Sequence, residues 1–159
     1  MAETHVQAQV RLLLEAQCAR AFNALVKKFH PKCELTLIAF DYTEGETVDQ
    51  FEYSNVAFKT SLDGVSLVEL LEARIARWRE PNPPTLPHDR ARQGWLPDES
   101  DLVRYARFMR DHLPKSLGFS LFCGRGQRSQ YIGAGDREGC AKMFEDDLLP
   151  GLRGEVRRG

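Results

Sequence analysis

The sequence predicts an α+β protein, in which pseudo-duplicated helix–β-hairpin–helix units form a four-stranded antiparallel sheet packed by helices. Three observations lead there. Apolar spacing changes between helical and strand periods in the order helix, strand, strand, helix, and then repeats that order. The two first helices run into similar stretches, FHPKCELTL at 29–37 and HLPKSLGFSL at 112–121. A two-stranded hairpin with two helices is too small to be stable alone, so two such units should share one sheet and one core. Helices are expected on one face of that sheet.

Each element has its own signal. Residues 6–29 carry Val10, Leu13, Leu14, Ala21, Leu25 and Val26 at helical spacing, with Phe22 and Phe29 near the same face, and Pro31 ends the run. CELTLIAF and FEYSNVAF are rich in β-formers and flank a polar turn around Gly45. Asp63-Gly64 marks a turn. Ser66, with Glu69 three residues on, forms a capping box for a helix through Leu67, Val68, Leu70, Leu71, Ile75 and Trp78. Five of the eight prolines then fall at 80–97, which makes this stretch an extended linker between units 1–79 and 98–159.

In the second unit, Asp98 or Ser100 caps a helix through Leu102, Tyr105, Phe108, Met109 and Leu113, ended by Pro114. GFSLFC and QYIGAG are strands around the turn GRGQRS, and Tyr131 answers Tyr53 of the first hairpin. Asp136 caps a last helix, REGCAKMFEDDLL, which Pro150-Gly151 is expected to close.

Composition narrows the function classes. At 159 residues the chain should bury roughly 70% of the surface its unfolded form exposes, enough to fold without staples. With 28% charged residues, 42% hydrophobic residues and a net charge of −1, it is no polyelectrolyte partner for nucleic acid. MAETHVQAQVRLLLEAQ shows no basic region followed by an apolar one, and no apolar run approaches the roughly 20 residues a membrane helix needs. The expected setting is therefore the cytoplasm, with Cys18, Cys33, Cys123 and Cys140 as reduced, structural thiols.

Each half also resembles a family of short phage-encoded proteins of unassigned function. Members pair a helix and a proline with a hairpin of the type GFALLVF…NYISNADRED, then a helix that often ends in LARW. The matching residues here are GFSLF (118–122), QYIGAGDREG (130–139) and, more faintly, LTLIAF, EYSNV and ARIARW (73–78). The resemblance implies a phage or prophage origin, and with it the cytoplasm of a bacterial host as the setting, and it brings no catalytic residues with it.

The chemistry-bearing stretch is GRGQRSQYIGAGDREG at 124–139, with five of the twelve glycines and three arginines, Arg125, Arg128 and Arg137. A glycine turn beside a helix N-terminus can bind an anion through backbone N–H groups. Yet the glycines lack nucleotide-fingerprint spacing and lie between two strands, and Asp136 would repel a phosphate, so a plain hairpin is favoured. His30 and Cys33 have no second pair to complete a metal site, and Cys123 and Cys140 stand alone, so neither metal nor cofactor is expected. His30 and His112 suit helix C-termini, where a cationic ring meets the dipole. The acids of 41–52 and Glu145, Asp146 and Asp147 read as solvated surface.

Charge pattern points to binding. The hairpin at 41–52 carries five acids and no base, whereas the turn at 124–129 carries two arginines and no acid. The expectation is a non-catalytic protein that binds a host protein complex, as an inhibitor of a bacterial defence system, through Arg125, Arg128, Arg137, Tyr131, Arg77, Arg79 and Trp95. Self-association through the opposite hairpins is a further outcome. The alternative is a small-anion or nucleotide binder that uses 124–137.

Overall fold

The computed structural model describes residues 4–44, 51–80, 99–133 and 137–158. Helix α1 (His5–Phe29) starts from Thr4 in a reciprocal capping box: Gln7 N–H donates to Thr4 Oγ1 (3.1 Å) and Thr4 N–H to Gln7 Oε1 (2.8 Å). His30 closes it in the left-handed region (φ 46°), its N–H on the Val26 carbonyl. Strands β1 (Leu35–Glu44) and β2 (Phe51–Thr60) follow. Helix α2 (Gly64–Trp78) is capped by Asp63, whose carboxylate accepts from Ser66 N–H at 2.7 Å. The cap therefore lies three residues before Ser66, in the dipeptide read as a turn: aspartate is as good an N-cap as serine, and Gly64 can begin the helix.

The second half supplies α3 (Glu99–His112), β3 (Leu117–Cys123), a single 3₁₀ turn at Gly126–Arg128 and β4 (Gln130–Gly133). Helix α4 (Arg137–Met143) passes through a π-helical turn (Phe144–Leu148) into α5 (Leu149–Arg158). Pro150-Gly151 does not close this helix, contrary to the sequence expectation. The π turn stands directly before the proline, with Leu149 N–H reaching back to the Phe144 carbonyl. A wider turn relieves the clash between a proline ring and the carbonyl four residues back, so the helix continues and buries Leu149 and Leu152.

All four strands form one antiparallel sheet in the order β2-β1-β3-β4. Leu37 stands opposite Leu121 in the central pair, and the outer strands are the second strands of each hairpin. With Leu37 and Leu121 matched, the registers of the two hairpins set Lys59 against Ile132 and Phe58 against Tyr131. Tyr53 lies opposite Tyr42, beyond a bulge, and is not the register counterpart of Tyr131. At the bulge, the Asp41 carboxylate accepts from the Asn55 backbone N–H (2.6 Å) and the Asn55 side-chain amide (2.9 Å), so this acid belongs to the sheet and not to a solvated string.

Helices cover both faces, which corrects the one-sided packing expected. Leu35, Leu37 and Ala39 of β1 and Phe119, Leu121 and Cys123 of β3 face α1 and α3. Ile38, Phe40 and Phe122 face α2, α4 and α5. Thus LTLIAF is buried at every position, because a central strand covered twice needs no polar alternation. Gly118 has a specific task opposite Phe40: a Cβ there would meet the Phe40 ring at 2.3 Å. On α1, Leu14, Cys18, Ala21, Phe22 and Leu25 are buried, whereas Val10, Leu13 and Val26 are exposed and do not belong to the core face.

Candidate functional site

The hairpin between β3 and β4 uses its first two glycines for backbone geometry. Gly124 (φ 100°) and Gly126 (φ 58°) take left-handed conformations that let the chain enter its 3₁₀ turn. Gly124 N–H donates to the Glu34 carbonyl at 2.8 Å, which extends the β1–β3 ladder past the strand end. Arg125 continues the contact by donating to Glu34 Oε1 at 2.6 Å.

Beneath this turn lies a side chain that is not among the binding residues expected from sequence. Arg74 of α2 is 9% exposed. Its Nη2 donates to the Ser129 carbonyl (2.6 Å) and to Ser129 Oγ (2.9 Å). Its guanidinium carbon lies 5.8 Å from the centre of the Tyr131 ring and 6.0 Å from those of Trp78 and Phe122. Trp78 and Phe122 each pack on Tyr131 and on Phe144, with Trp78 stacked on Phe144 and edge-on to Tyr131. Tyr131 hydroxyl bonds Ser120 Oγ (3.2 Å) and Cys140 Sγ (3.8 Å), and burial raises its pKa well above the ordinary phenol value. Helical spacing carried a signal for Arg74, since it stands three residues after Leu71 and four before Trp78, on the buried stripe.

The other arginines also link the two halves. Arg79, just past α2, places Nη1 on Glu145 (2.6 Å) and Nη2 on Glu138 (3.0 Å); these two carboxylates raise its pKa. Glu145 is accordingly an ion-pair partner and not idle surface. Arg153 of α5 meets Glu72 of α2 at 3.5 Å. Arg77 and Arg128 have partners as well. Among the residues singled out from sequence, the structure joins Tyr131 to Arg74 and sets Arg79 and Arg125 on separate carboxylates. Trp95 and the side chain of Arg137 lie outside the described residues, as does the acidic turn at 45–50.

The histidines have local tasks. His112 Nδ1 lies 2.9 Å from the Phe108 carbonyl and its ring stacks on Phe108 at 3.7 Å, while His30 is the left-handed cap of α1. No group of three or more metal-ligating side chains occurs among the described residues, and no described helix is long and apolar enough to cross a membrane. Cys123 does not stand alone: Cys33 packs against the apolar layer that holds it.

Outside the core, α1 presents an apolar row. Val6, Val10 and Leu13 are 66%, 44% and 58% exposed, at positions that share one helical face, with Leu12 exposed beside them. Compared with models of known protein families, with curated proteins and with solved structures, the chain matches none.

Proposed function

We propose that this chain is a non-catalytic binding protein of phage or mobile-element origin that docks on a protein of a bacterial host. The observation that carries this reading is the exposed row Val6, Val10 and Leu13 on the N-terminal half of α1. A helix that lays aliphatic side chains along one uncovered face is suited to a hydrophobic groove on a partner. The arginines offer less support for an anion site, because Arg79 and Arg125 already meet carboxylates of the same chain. The two halves are read as descendants of one unit. Supporting this, α1 and α3 share one face, α2 and α4–α5 share the other, and β1 and β3 meet at the centre.

The test is affinity capture from host lysate with the wild-type chain and with Leu13→Glu, both checked for equal thermal stability. A stoichiometric protein held by the wild type and lost by the variant is the expected result. Capture of no stoichiometric protein by the wild type, or equal capture by both, overturns the reading.

A further inference from the structure

We propose that Cys33 and Cys123 form an oxidisable dithiol that a hydroperoxide closes into a disulfide, tying the approach to β1 to the end of β3. The placement comes from the sheet. Leu35 stands directly opposite Cys123, and the Gly124 N–H to Glu34 carbonyl bond carries the pairing one residue further. Cys33, two residues before Leu35, thereby comes to the same face as a diagonal neighbour of Cys123. Both belong to the apolar layer beneath α1 and α3, Cys123 fully buried and Cys33 partly exposed against it. Tyr105 of α3 belongs to the same layer, so both thiols sit against one apolar surround. The remaining cysteines are occupied elsewhere: Cys18 Sγ lies 3.8 Å from the Leu37 carbonyl, and Cys140 Sγ lies 3.8 Å from the Tyr131 hydroxyl.

The pair is asymmetric in the way such chemistry needs. The neighbouring Cys123 thiol lowers the pKa of Cys33, outweighing partial burial and the carboxylates of Asp101 and Glu34. Cys33 in turn, with burial, raises the pKa of Cys123. Cys33 is half-buried and Cys123 fully buried, so Cys33 is the thiolate former that solvent reaches and Cys123 the protonated thiol behind it. In the first step the Cys33 thiolate attacks the hydroperoxide: an S–O bond forms, the O–O bond breaks, and an alcohol or water leaves with one proton. The product is a sulfenic acid. In the second, the Cys123 sulfur attacks the Cys33 sulfur, the S–O bond breaks, and hydroxide leaves as water with the Cys123 proton. Two thiols lose two electrons and the peroxide gains them. Closure needs the sulfurs at about 2.05 Å, and Cys33 lies in the bend before β1 and not in its ladder.

The experiment is native oxidation of the full chain with equimolar hydrogen peroxide, followed by alkylation and peptide mass mapping. The expected product is a linked Cys33–Cys123 peptide, with free thiols falling from four to two and returning on addition of dithiothreitol. Cys33→Ser should abolish the link, Cys18→Ser should leave it intact, and Cys123→Ala should strand Cys33 as a sulfenic acid that dimedone traps. Persistence of all four thiols, or linkage through Cys18 or Cys140, overturns the proposal. Because the decisive readout is on the wild type, a folding defect in any variant does not weaken the test.

Discussion

The layer beneath α1 and α3 is filled by aliphatic and aromatic groups, with Leu25, Leu37, Met109 and Leu121 fully buried. Across the sheet, the layer beneath α2, α4 and α5 encloses Arg74 among Trp78, Phe122 and Tyr131 and anchors it on Ser129. Shape complementarity chiefly holds the first layer, and it is tolerant of exchange among apolar groups of similar volume. The second adds directional bonds that can be made in one register only, since a buried guanidinium without its acceptors is costly. The arginine layer is thus where the relative placement of the two halves is specified, and Arg79 and Arg153 reinforce it at the rim.

The comparison can be broken most severely at Phe122, which is fully buried and packs against Tyr131 and Phe144. Phe122→Ala should cost about 4 kcal/mol in chemical denaturation. Arg74→Ala should cost about 3 kcal/mol, because it empties a packed site and leaves the Ser129 carbonyl without its charged donor. Arg74→Met separates the two contributions: recovery of most of the loss would show that volume, not the hydrogen bonds, sets the register. Arg125→Ala should cost less than about 1 kcal/mol, and less again in high salt, since its pair with Glu34 is solvent-facing.

Acid titration gives a smaller effect with a defined sign. Hydrogen bonding from Ser66 holds the Asp63 carboxyl below its ordinary pKa, so the folded state favours the ionised form. The stabilisation is present above the usual aspartate value of about 3.9 and is lost as pH falls through the lower folded value. Wild type and Asp63→Ala should therefore differ in Tm at neutral pH and converge in acid. Smallest of all, Leu13→Glu should change stability by no more than about 0.5 kcal/mol while removing the apolar row's contribution to binding.

Local signals made the strands legible in part: CELTLIAF, FEYSNVAF and GFSLFC each overlap a strand, but β1 runs on to Glu44 into the stretch read as a polar turn, β2 runs on to Thr60, and β3 begins at Leu117. Two-sided packing was legible as well, because LTLIAF and GFSLF carry apolar residues at consecutive positions, but the amphipathic helices invited a simpler one-sided layer. Val10 and Leu13 were assigned to the core because apolar spacing cannot tell which edge of a wide apolar stripe meets the sheet. The continuation through Pro150 depended on a π turn that no residue type announces. The packing of Cys33 against the layer of Cys123, and the bond of Arg74 to Ser129, depend on how segments distant in the chain come together, which periodicity does not encode.

The central pairing of β1 with β3 has a consequence for how the molecule comes into being. These strands are separated by β2, α2, the proline-rich stretch and α3, so the contact at the heart of the sheet is among the most distant along the chain. Loop-closure entropy must be met before that pairing gives any return, which argues for slow folding. During synthesis, a ribosome that has released only α1 through α2 presents LTLIAF with one edge unpaired and Ile38 and Phe40 without the Phe122 side of their core. Until β3 emerges, the nascent protein is a sticky half-sheet, and chaperone dependence should peak in that interval.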